Sequence, residues 1–272
     1  MHNRVREAAP CYVSEDKTGK WVFVANYCSG SLAALPVNSD GSLAPAMQVI
    51  QQFGKGPDTA RQEAAHVHSA IFSPDERFLL EANLGTDQEH VYIFHPNEMI
   101  PLAEPFDSVA TLQPGSGPRH IAFHPKKSNV YILSELSGTV DAFHFDSTSG
   151  KMNHFQRIRT TPEHFKGFAG SADIHIRPME SFCMRPTGEH RTPSLFSKYR
   201  KMAGWPQKKL FLLRENIPAI LSLIPVDIFC WLPIATRIIL SFFSIDPASG
   251  LLKATGKEIS IPNPVCLKFL GN

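Results

Sequence analysis

A phrase recurs along this chain, and its spacing limits the folds open to it. SEDKTGKWVFVAN occupies residues 14–26, SPDERFLLEAN residues 73–83 and HPKKSNVYILSE residues 124–135, and RPMESF opens a fourth copy at Arg177. Aligned on Trp21, Phe78, Asn129 and Phe182, where each apolar run begins, the copies stand 57, 51 and 53 residues apart. A period near 50 suits the four-stranded blades of a β-propeller, units that bury their faces only by stacking on one another.

Each copy is locally consistent with that architecture. A Pro/Asp/Gly/Lys turn precedes a short run of apolar and β-branched residues, as a strand buried on both faces requires. A polar turn such as YCSGS or LGTDQ follows, and then a second strand such as SLAALPV, HVYIFHP or GTVDAFHF. NSDGSL, STSGKM and PASGLL have the composition of hairpin loops, with glycine supplying positive φ. Residues 11–177 contain no convincing 3.6-residue apolar period, so the fold class read here is all-β. A β-sandwich would share the alternation but would not repeat a phrase at this interval.

Composition removes several classes of function. With 27 Lys+Arg against 25 Asp+Glu in 272 residues, the net charge is +2. No basic field favours nucleic acid or an anionic membrane. The cysteines Cys11, Cys28, Cys183, Cys230 and Cys266 are scattered and form no CxxC pair, so neither a disulfide framework nor a zinc site is expected. The first twenty residues lack a signal-peptide apolar region. Prolines, Asp227 and Arg237 interrupt the apolar stretch 217–245. A soluble, cytoplasmic protein is the expectation, without nucleic-acid or membrane partners.

GKWVFVANYCSGSLAALPVNSDGSL, RQEAAHVHSAIFSPDERFLLEANLGTD, GSGPRHIAFHP and TTPEHFKGFAGSADIHIRP resemble the 6-phosphogluconolactonase-type lactonase family of seven-bladed propellers. The resemblance runs through residues 10–178 and resumes from about Ser241 to Phe269. It implies one propeller domain over residues 1–272, with about five of seven blades and an early one or two missing. It also implies hydrolysis of a small-molecule sugar lactone, 6-phosphogluconolactone foremost, in the pentose phosphate pathway, with no metal or organic cofactor. Two alternatives stay open: a muconate-type lactonising cycloisomerase, and a non-catalytic propeller remnant.

The remnant reading rests on the missing blades and on residues 179–240, which lack the blade phrase where a blade and a half should lie. Codons for residues 215–229 can be written so that a one-base shift yields KHPRNFVIDPSGHF, a family-like phrase. The same shift from Pro178 gives NGKFLYASNRG. Residues 179–240 are therefore expected to be frameshifted and poorly ordered. An arginine of the shifted text, across Pro218 and Ala219, would be lost from the visible chain.

Lactone hydrolysis requires a water, a base to activate it, and positive charge at the developing oxyanion. His66 and His68, in AAHVHSAIF, are two apart in an expected strand and share a face. They are candidates for base or substrate contact, or for structural hydrogen bonds between blades. Arg119, in GSGPRHIAF, leaves a Gly-rich turn and suits a carboxylate, a phosphate or a lactone carbonyl. Its neighbour His120 is expected to point the other way. Glu135 ends an apolar run where a carboxylate needs a partner. Arg119 is the natural one, with Glu135 acting either as base or as a structural ion pair. Arg61, Asp173 and His175 are further candidates for substrate binding.

Overall fold

The computed structural model describes residues 9–104, 109–161 and 164–176, together with six later strands. No helix occurs among the described residues. The chain divides into two units, residues 1–137 with 141–157, and residues 138–140 with 158–272.

Most of residues 9–159 form successive antiparallel sheets in simple sequence order. β1 (Pro10–Glu15), β2 (Trp21–Asn26), β3 (Ser31–Pro36) and β4 (Gln48–Gln51) form the first. β5 (Val67–Phe72), β6 (Phe78–Asn83), β7 (Gln88–Phe94) and β8 (Leu102–Ala103) form the second, with β9 (Val109–Thr111) also paired to β7. β10 (Pro118–Phe123), β11 (Asn129–Ser134), β12 (Thr139–Phe145) and β13 (Met152–Arg159) form the third. The recurring phrase is thus the turn between a sheet's first and second strands, plus the second strand itself. Its polar residues close that turn. Asp16 Oδ1 accepts from Trp21 N at 2.7 Å, and Ser73 Oγ from Phe78 N at 3.1 Å. In the third copy His124 Nδ1 accepts from Lys126 N and Lys127 N.

The second strand of the middle sheet is buried on both faces because a sheet stacks on either side of it. Trp21, Phe23, Leu32 and Ala34 of the first sheet pack with Leu79, Tyr92 and Phe94 of the second. Phe78, Leu80, Ala82 and Val91, from the opposite face of that sheet, pack with Ile121, Val130, Ile132 and Phe143 of the third. Burying each large side chain stabilises by roughly 1.5–3 kcal/mol. This stacking explains why the apolar runs are continuous rather than alternating.

Two carboxyl groups interrupt the core of the second sheet. Glu81 is fully buried, accepting from Tyr92 Oη at 3.1 Å and Gln52 Nε2 at 3.4 Å. Burial pushes its carboxyl up to about 8. Glu89 is also fully buried, and neither of its oxygens has a hydrogen-bond partner among the described residues. Burial, and then the charge of Glu81, hold it well above the usual carboxylate range.

In the second unit β14 (Asp173–Ile176) pairs antiparallel with β15 (Phe182–Arg185), which pairs parallel with β16 (Phe211–Leu212). β17 (Leu221–Leu223), β18 (Ile228–Trp231), β19 (Ile239–Ile245) and β20 (Leu252–Ser260) make a four-stranded antiparallel sheet. The rest of the segment 179–240 lies outside the described residues, and with it the expectations of a shifted frame and poor order.

Candidate functional site

One irregularity recurs where each sheet of the first unit begins. Pairing of β1 with β2 shifts register between Pro10 and Tyr12, that of β5 with β6 between Val67 and Ser69, and that of β10 with β11 between Pro118 and His120. The extra residues of these bulges are Cys11, His68 and Arg119, separated by the repeat interval itself. A bulge interrupts the alternation of side chains and re-aims those beside it.

That re-aiming corrects the reading of His120. Simple alternation sends it away from Arg119, but Arg119 Nη1 donates to His120 Nε2 at 3.2 Å. The His120 ring meets those of His68 and Tyr12 edge-on, with centroids 5.3 and 5.5 Å apart.

Glu135 follows β11 and gathers two arginines. Its Oε2 accepts from Arg119 Nε at 2.9 Å and its Oε1 from Arg61 Nη2 at 2.6 Å. Both carboxylate oxygens are therefore engaged by guanidinium groups. Arg119 and Glu135 side chains are 19% and 12% exposed, whereas Arg61 is 35% exposed and reaches solvent. Arg61 Nη2 also lies 3.4 Å from Tyr27 Oη.

Tyr27 joins the two histidines to this group. Its ring stacks on His66 at 4.4 Å and meets His68 edge-on at 5.7 Å. His66 Nδ1 donates to Tyr27 O at 3.0 Å, and Nε2 faces Glu63 Oε1 at 3.2 Å. His68 differs, because its Nδ1 has no hydrogen-bond partner among the described residues. Burial, then the charges of Arg119 and His120, hold the ring well below the ordinary imidazole range. His68 is neutral at physiological pH and keeps a lone pair. Cys11 is exposed, and its thiol donates to His68 O at 3.2 Å.

His66, His68, Arg119, Glu135 and Arg61 are thus brought into one group. Asp173 and His175 belong to the second unit and pair with each other, Oδ2 to Nε2 at 2.9 Å. Sequence reasoning passed over Tyr27, Tyr12 and Cys11, although the repeat carries a signal for them. Tyr27 stands where Glu135 stands in the third copy, and Cys11 where His68 and Arg119 stand in theirs. No group of three His, Cys, Asp or Glu with metal-binding geometry occurs among the described residues.

The family model described as "Lactonase, 7-bladed beta-propeller" matches residues 2–187. The chain belongs to this lactonase family. It is 29% identical over 269 residues to the 6-phosphogluconolactonase of Bacillus subtilis, covering 99% of this chain and 75% of that protein. It is 31% identical over 197 residues to the 6-phosphogluconolactonase of Xenorhabdus nematophila, covering 71% of this chain and 53% of that one. The solved structure of the periplasmic gluconolactonase of Pseudomonas aeruginosa superposes with a TM-score of 0.79 at 29% identity, over 96% of this chain and 73% of that one. The lactonase propeller accounts for the repeated four-stranded sheets and for the recurrence of site positions at the blade interval.

Proposed function

We propose that this protein hydrolyses a sugar lactone, with 6-phosphogluconolactone as the preferred substrate. The observation that carries the reading is a clamp of two arginines on one carboxylate beside a neutral imidazole, in a member of the lactonase family. The lactone carbonyl docks against Arg119, whose guanidinium stabilises charge developing on the carbonyl oxygen. His68 takes a proton from water as the water oxygen attacks the carbonyl carbon. The tetrahedral intermediate collapses by breaking the bond to the ring oxygen, which takes that proton back from the imidazolium, leaving a carboxylic acid that ionises. Arg61, partly exposed, meets the phosphate. With both oxygens occupied, Glu135 orients the arginines and is not the base that activates water.

A second reading, a non-catalytic remnant, has one observation in its favour. The family match stops at residue 187, close to Pro178, where the frame is expected to slip. The alignment with the Bacillus subtilis enzyme continues over 269 residues, which weighs against it. Turnover decides between them. Hydrolysis of 6-phosphogluconolactone above the spontaneous rate, followed through coupled oxidation of 6-phosphogluconate, is the expected result. Folded protein without such turnover of this or other aldonolactones would leave the remnant reading.

A further inference from the structure

Neither arginine on Glu135 is held by its own strand alone. Arg61 sits in a loop between sheets, and Arg119 is the extra residue of a bulge. What they share is Asp87, a buried residue in the turn between β6 and β7 whose backbone is left-handed, with φ 58°. Asp87 Oδ1 accepts from Gln62 Nε2 at 2.8 Å and from Gly117 N at 2.7 Å, and Oδ2 accepts from Gly115 N at 2.7 Å. Gln62 directly follows Arg61, and Gly117 precedes Arg119 by two residues. Gly117 O in turn accepts from Glu135 N at 2.7 Å. One carboxylate therefore ties the Arg61 loop, the Arg119 turn and, through Gly117, the backbone of the residue both arginines grip.

We propose that Asp87 is the positioning residue of the arginine clamp, setting the distance between the Arg61 and Arg119 guanidinium groups through Gln62, Gly115 and Gly117. Its three partners are all N–H donors. An ionised carboxylate offers acceptors on both oxygens, whereas an amide offers one oxygen and turns an NH2 toward a donor. Shape at this position is replaceable, but the double acceptor is not. Gln62 is fully buried and also donates to Leu84 O at 2.8 Å, so its arm is rigid. The kinetic part of the proposal rests on the lactone-hydrolase reading, and the positional part does not.

The test uses the full chain carrying D87N and follows the guanidinium N–H signals by nitrogen-15 NMR. The Arg119 Nε–H proton, bonded to Glu135 in the wild type, exchanges with water at least tenfold faster in D87N. In lactone turnover D87N lowers kcat/KM at least tenfold, mostly through kcat, and adds less than twofold in an Arg119→Ala background. A merely structural role would give the same penalty in both backgrounds. Unchanged Arg119 exchange in D87N, or a fully multiplicative penalty, overturns the proposal. If D87N does not fold, Gln62→Leu removes one arm only: Arg61 guanidinium protons exchange at least tenfold faster while Arg119 is unaffected, and wild-type exchange at Arg61 overturns the proposal. A wild type without turnover whose Arg119 is freed by D87N leaves the positioning intact and removes the hydrolase reading.

Discussion

His68 and Arg119 occupy the same place in successive sheets, each the extra residue of a bulge in the sheet's first strand. The bulge turns Arg119 so that one guanidinium reaches both Glu135 and His120, at 2.9 and 3.2 Å. A lysine carries the charge but not the fork. Arg119→Lys is therefore expected to fold normally and to lose about 10²–10³-fold in kcat/KM for the lactone, the scale of losing one oriented donor at an oxyanion. Steady-state kinetics alongside a thermal melt check this, and activity within threefold of the wild type would show that charge alone suffices.

This relationship marks how far the sequence could be read. The repeated phrase specifies second strands well, because burial on both faces demands an unbroken apolar run such as FLLEAN or NVYILS. It also flags Glu135, a carboxylate ending such a run. The bulges carry no comparable signal, since one extra residue leaves composition and spacing unchanged while reversing which face a side chain takes. Simple alternation therefore sends His120 away from Arg119, which it meets at 3.2 Å. Asp87 was hidden differently: in LGTDQ it is an ordinary turn residue, and only the fold brings it to Gln62 and Gly117.

Glu135→Gln separates clamp from base. The neutral amide removes the counter-charge from both guanidinium groups and turns an NH2 toward one of them in place of an acceptor oxygen. Loss of the Arg119 partner is expected to cost about 1–3 kcal/mol of stability, because Arg61 is solvent-screened and adds little. Activity falls at least a hundredfold, but the pH profile of the residual activity keeps its shape, because Glu135 does not transfer the proton. A residual profile that loses an acidic limb would assign the base to Glu135 instead.

The buried Glu81 makes the stability of the first unit depend on pH. Its carboxyl is raised from 4.5 to about 8 by burial, so the folded state prefers the protonated form. The associated stability is complete below pH 4.5 and is lost as pH rises through 8, on the order of 1.4 kcal/mol per pH unit within that window. Glu81→Gln keeps an acceptor for Tyr92 and removes the titration. The variant is expected to match the wild type near pH 4.5 and to exceed it by a few kcal/mol at pH 8, measured by urea unfolding. Some slope of the same sign persists from Glu89, whose carboxyl is also raised. Parallel wild-type and variant profiles would mean that Glu81 is ionised in the folded protein.

His68 supplies a dependence of the opposite sense. Its folded-state value is depressed below 6.5, first by burial and then by Arg119 and His120. The stability tied to its neutral form is present above pH 6.5 and is lost as pH falls toward the depressed value. The imidazole nitrogen signals of His68 should stay those of a neutral ring as pH falls through 6.5. A His68→Asn variant should lose less stability between pH 6.5 and 5 than the wild type does. Lactone turnover should likewise show no acidic limb near 6.5, because the proposed base already holds its lone pair there. A His68 ring that titrates at 6.5 or above would place a cation beside Arg119 and make this imidazole an anion contact instead of a base.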